Sequence, residues 1–209
     1  MNANPLTAWL RSNEMWVPAA DKATACSHVF LDGGKANVPP LRTPDFLKTY
    51  ADCVRRDVPQ FCVERLAQGE AFRFFMDLDL SKEVEARIGQ DLLREVLATT
   101  ADLLDGNGSV TVCGKWNTGR SAWSALRAVR QQLASILDTS VYRGSGLRML
   151  GSRKRGGWDV YMPTRAVGPA GEQHEPAPAA VLADLERWLE RCSLNPAKPD
   201  ARALLRNLA

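Results

Sequence analysis

The sequence predicts a mixed α/β domain of the α+β kind, on three observations: a stretch that alternates with the period of a strand, long segments with helical spacing around it, and a late basic hairpin. The alternating stretch is AFRFFMDLDL, residues 71–80. Phe72, Phe74, Met76, Leu78 and Leu80 fall on one face, and Arg73, Phe75, Asp77 and Asp79 on the other. Helical spacing runs through Phe46, Leu47, Tyr50 and Val54, within a segment from Pro44 to Ala67 whose helix Pro59 must interrupt or restart. It returns through Val84, Ile88, Leu92, Val96 and Leu103, where Gly106 is placed to end the helix. A further helix is expected over 122–137. The hairpin joins strands at 146–152 and 158–163 through Arg153-Lys154-Arg155-Gly156-Gly157.

The remaining elements are shorter. Residues 1–22 read as an irregular lead-in, and His28–Leu31 as a strand closed by a turn at Asp32-Gly33-Gly34. VTVC at 110–113 is a further strand. The Pro-, Gly- and Ala-rich stretch 168–180 reads as a linker into a helix at 181–191, and a short basic helix is expected beyond Pro196 and Pro199. The division expected is therefore a lead-in at 1–22, a catalytic domain at 23–165, and a linker with C-terminal helices at 166–209.

Composition bounds the function without naming it. With 209 residues, 45% of them hydrophobic, the chain can bury a core, and a net charge of +3 is too small to imply a polyanionic partner by itself. Five cysteines, at 26, 53, 62, 113 and 192, form no C-x-x-C pair, which argues for a reducing compartment and against a complete cysteine zinc site. No apolar run has the length of a signal peptide core or a membrane span. The chain reads as soluble and intracellular, with no membrane partner.

The chemistry-bearing residues centre on Asp77 and Asp79. Carboxylates at i and i+2 of one strand project the same way with Cα atoms roughly 6.5–7 Å apart, close enough to share hard divalent cations. Mg²⁺ or Mn²⁺ is the natural ligand, and in phosphoryl transfer such ions bridge the phosphates and the attacking hydroxyl. A bare D-x-D pair also occurs on solvated sheet faces. Its setting distinguishes this one, since aspartate is depleted in strands and the opposite face is wholly apolar. Asp138 is the candidate third carboxylate, although an aspartate there also serves as an ordinary turn residue. Between 143 and 155, Arg143, Arg148, Arg153, Lys154 and Arg155 occur with no acidic residue, a cluster suited to triphosphate or nucleic-acid backbone and equally to a plain basic loop.

Taken together, FRFFMDLDL and the downstream LDTSVYRGSGLRMLGSRK resemble the archaeo-eukaryotic primase superfamily, in particular the primases of large DNA viruses and the eukaryotic primase-polymerases. The resemblance spans about residues 27–163 and matches in order: a D-x-D strand, then Asp138 followed by Val141-Tyr142, then an L-R-x-x-x-S-x-K segment from Leu147 to Lys154. It implies a primase-type catalytic domain with a mixed sheet flanked by helices. It also implies a template-directed nucleotidyltransferase that makes or extends primers from nucleoside triphosphates on single-stranded DNA. Asp77, Asp79 and Asp138 would hold the catalytic Mg²⁺ or Mn²⁺, and Arg148 and Lys154, with Arg153 beside them, would meet the triphosphate or template. A nuclear or viral replication compartment would follow for a eukaryotic or viral source. Such primases are often fused to a helicase; no G-x-x-x-x-G-K-[ST] motif occurs, so a helicase would be a separate chain.

One motif departs from the family. A phosphate-binding histidine belongs between the D-x-D strand and Asp138, and that interval contains none. GKWNTGRSAW offers Lys115 as a substitute cation, with Ser121 where the histidine would fall; loss of a short strand between Gly119 and Arg120 is a second explanation. The departure gives a second functional class weight: a degenerate primase-like domain that binds nucleotide or nucleic acid without turnover.

Overall fold

The computed structural model describes residues 4–66, 72–73, 76–78, 110–113, 116–117, 145–154, 156–157, 159–167, 173–195 and 204–205. The chain begins with a correction. Residues expected as an irregular lead-in form helix α1 (Pro5–Ser12), followed by strand β1 (Trp16–Val17). Pro5 suits the first helical position, the Asn4 side chain accepts the Leu6 N–H at 3.0 Å, and Leu6 and Leu10, one helical turn apart, are fully buried. The helix ends in a Schellman motif with Glu14 in the left-handed region (φ 58°), where Met15 N–H reaches the Leu10 carbonyl and Glu14 N–H the Arg11 carbonyl.

Strand β2 (His28–Phe30) turns into β3 (Lys35–Ala36) through Gly33 and Gly34, as the Asp-Gly-Gly turn predicts. Gly34 sits at φ 95°, and a Cβ there would lie 2.0 Å from the Trp16 ring. A 3₁₀ turn (Pro40–Arg42) leads into α2 (Thr43–Arg55), which buries Phe46, Leu47 and Tyr50 as the helical spacing requires. It stops before Pro59, again in a Schellman motif, with Asp57 at φ 55° and bonds from Val58 N–H to Cys53 O and Asp57 N–H to Val54 O. Pro59 then holds its predecessor extended, and β4 (Cys62–Glu64) follows, all three residues buried.

The expected single strand over 71–80 is described as two short strands with different partners, β5 (Phe72–Arg73) and β6 (Met76–Leu78). The helices expected at 82–106 and 122–137 lie outside the described residues. Strand β7 (Val110–Cys113) matches the expectation for VTVC, and β8 (Trp116–Asn117) follows it. In the basic hairpin region, among the described residues, Leu147–Arg148 forms strand β9, and its ladder is with β4. The segments expected to pair with each other share one bridge, Arg153 with Val160, plus bonds linking Tyr161 to Gly151 and Ser152. Strand β10 (Pro163–Val167) was not expected as a separate element. It pairs with β7 and with β11 (Gln173–His174), which falls inside the expected linker.

The helix expected at 181–191 is two helices, α3 (Pro178–Ala183) and α4 (Leu185–Cys192), meeting at Asp184. At the far end, where a basic helix was expected, Leu204–Leu205 is strand β12, antiparallel to β5.

The largest sheet is antiparallel, in the order β1-β3-β2-β4-β9. One core gathers Leu6 and Leu10 of α1, Phe46, Leu47 and Tyr50 of α2, Phe30, Ala36 and Cys62 of the sheet, and Val181, Leu185 and Leu189 of α3 and α4. Helices and sheet together make this a mixed α+β fold. No helix among the described residues is long and apolar enough to cross a membrane.

Candidate functional site

The acidic strand comes first. Asp77 is the middle residue of β6, which pairs antiparallel with β8, Met76 opposite Asn117 and Leu78 opposite Trp116. The register shifts between those two pairs, so Asp77 stands at an irregularity of the ladder, where a strand bends and re-aims its residues. The pairing brings Trp116 and Asn117 alongside the strand of Asp77. Asp79, Asp138 and Lys115 themselves lie outside the described residues, as do Arg143 and Arg155. Among the described residues no group of three or more His, Cys, Asp and Glu side chains forms a metal-binding cluster.

Of the basic residues, Arg148 belongs to a different sheet. Arg148 on β9 is opposite Val63 of β4, and its guanidinium lies 5.6 Å from the centre of the Tyr161 ring, a cation–π contact. Tyr161 also donates its N–H to the Ser152 carbonyl at 2.8 Å, so one residue joins Arg148 to the segment just before Arg153. Arg153 is 14% exposed and ion-paired with Asp57 at 2.5 Å, while its backbone N–H bonds Gln60 O at 2.7 Å. Its charge is thus engaged at the end of α2. Lys154 is exposed, on a turn closed by Gly157 N–H to Lys154 O with Gly156 at φ 77°.

Gly146 sets where Arg148 lies. It adopts φ 76°, and a Cβ on it would stand 2.5 Å from the Glu64 carbonyl oxygen and 2.7 Å from Val63 Cγ1. Backbone strain and a clash with backbone, rather than with a yielding side chain, combine in Gly146→Ala, which should cost about 2–4 kcal/mol of stability. Urea denaturation of the variant beside the wild type measures it.

Both histidines are accounted for. His28 is 4% exposed in the five-stranded sheet, its Nδ1 2.9 Å from Ser27 Oγ and its ring 4.4 Å from that of Phe46. His174 lies on β11 opposite Ala166. Neither is on β6 or β8. Burial pushes the His28 pKa below its ordinary 6.5, partly offset by the nearby Glu64 carboxylate. The unfolded chain therefore binds the proton more readily, so stability held above pH 6.5 falls as the pH drops toward the lowered folded value. In His28→Gln that part of the pH dependence should vanish, seen as a smaller difference in Tm between pH 7.5 and pH 5.5 (about one unit either side of the ordinary histidine value).

Sequence reasoning missed a buried polar centre at Glu64, which is 4% exposed and meets Ser193 Oγ at 2.7 Å. Its partners lie about 130 positions away, so no local pattern signals it. Cys53 and Cys62 are buried free thiols, whereas Cys26 is half-buried and takes a bond from Arg65 Nη1 at 3.2 Å. Compared with known proteins, the chain matches no protein-family model and no curated sequence.

Proposed function

We propose that the chain is a primase-type catalytic domain, a template-directed nucleotidyltransferase that makes or extends primers from nucleoside triphosphates on single-stranded DNA. The observation that carries this reading is the pairing of β6 with β8. It sets the strand of Asp77 beside Trp116 and Asn117, two residues of the stretch in which the family's phosphate-binding motif is expected. Asp77, Asp79 and Asp138 are an all-oxygen donor set of the kind that suits Mg²⁺ or Mn²⁺. Bound there, such ions neutralise the triphosphate and activate the attacking hydroxyl. Lys154 and Arg148 are the cations for the triphosphate or template, with Lys115 as the substitute for the missing histidine. Arg153, paired with Asp57, holds the hairpin that presents Lys154.

A second reading, a domain that binds nucleotide or nucleic acid without turnover, is favoured by one observation. His28 is enclosed by Ser27 and Phe46, so it does not replace the histidine absent between Asp79 and Asp138. The test is incubation of the purified protein with single-stranded DNA, labelled nucleotides and Mg²⁺ or Mn²⁺. Template-dependent products that disappear with a chelator are expected. A shifted template with no product would leave only the binding reading, and neither product nor shift would remove both.

A further inference from the structure

Glu64 ends β4 as a buried carboxylate, and its four described donor bonds all come from the segment that leaves α4. Ser193 Oγ donates to Oε1 at 2.7 Å, and the Asn195 N–H and side-chain amide donate to the same oxygen at 3.0 and 3.1 Å. The Leu194 N–H donates to Oε2 at 2.8 Å. The Asn195 amide also reaches the Arg65 carbonyl at 2.6 Å. A carboxylate out of water is tolerable only when donors fill its oxygens, and donors so placed repel any group that is itself a donor.

Beyond this point the same tail meets the same stretch of chain again. Leu204 pairs with Arg73 and Leu205 with Phe72, and Met76, the first residue of the acidic strand, follows Arg73 by three positions. The tail is thus tied at Glu64–Arg65, where β4 ends, and at β5, just before Asp77.

We infer that the C-terminal segment is a strap that holds in place the chain leading into the acidic strand, with Glu64 as its anchor. A ladder of two residues such as β5–β12 has little stability alone, so it depends on the tail being delivered to it. Ser193 caps α4, and the four bonds to Glu64 fix residues 193–195 against the end of β4. This device does not depend on the proposed chemistry. It makes the order of the Asp77 strand responsive to whatever binds or displaces the tail.

Hydrogen exchange read by mass spectrometry on the full chain tests it. In Glu64→Gln the new amide presents a donor to donors. Exchange should then rise at least about tenfold both at 193–195 and at 72–78, with β2 and α2 unchanged. In the double variant Leu204→Pro, Leu205→Pro, which removes the N–H groups of β12 and leaves the anchor, exchange should rise at 72–78 alone. Unchanged exchange at 72–78 in either variant overturns the strap. Should Glu64→Gln raise exchange everywhere, Ser193→Ala, which deletes one donor, decides: a rise confined to 193–195 and 72–78 supports the strap, and any other pattern overturns it.

Discussion

If the proposed function holds, a protein carrying Asp77→Asn and Asp79→Asn together is expected to lose at least about a thousandfold in primer synthesis while still binding single-stranded DNA. The size of the loss follows from what divalent ions contribute to phosphoryl transfer, several kcal/mol of charge stabilisation, with each ~1.4 kcal/mol worth a factor of ten. The amides keep the shape of the carboxylates and remove the charge that would hold the ions. Binding should persist or tighten, because negative charge near a polyanion opposes association and the substitutions delete it. Primer-extension rates and a gel-shift titration at one fixed salt concentration measure both. Equal activity in wild type and variant would show that these carboxylates are not the metal site, whatever the protein does with DNA.

The second large effect is on stability. Phe46 has no exposed surface and lies between two other rings, His28 at 4.4 Å and Tyr50 at 6.2 Å between centroids. Phe46→Ala leaves a cavity bounded by the sheet on one side and α2 on the other, neither able to collapse far. A loss of about 3–5 kcal/mol is expected, with a fall in Tm of roughly 6–20 °C for a chain of this size. Denaturant unfolding should show a lower midpoint with little change in slope, since the surface exposed on unfolding is nearly the same. A loss below about 1 kcal/mol would mean that the helix does not pack on the sheet through this residue.

How far the sequence foretold this fold depends on how local each signal was. The helical spacing of Phe46, Leu47 and Tyr50 and the paired glycines of the β2–β3 turn act within a few positions, and both elements are found. Helix α1 was also written locally, in Asn4, Pro5 and the Leu6–Leu10 spacing. Its end carried no glycine, because Glu14 occupies the left-handed position, and α2 ends the same way on Asp57. The two-residue strands β1, β8 and β12 are too short for a period to show. Their existence is set by partners far away, as when Leu204 pairs with Arg73 where local composition favoured a helix. For the candidate site, the strand character of Asp77 was legible. Its pairing with the Trp116 strand and the engagement of Arg153 by Asp57 were not, since both are contacts between distant segments.

The shared core has a consequence for biosynthesis. Leu6 and Leu10 are covered together with Val181, Leu185 and Leu189, and Arg55 meets Glu186 at 2.8 Å across 131 positions of chain. At ribosomal speeds the apolar sides of α1 and α2 therefore wait on the order of ten seconds before α4 emerges to cover them. During that interval the nascent chain offers a sticky surface to chaperones, and slow translation of its last third would lengthen the exposure.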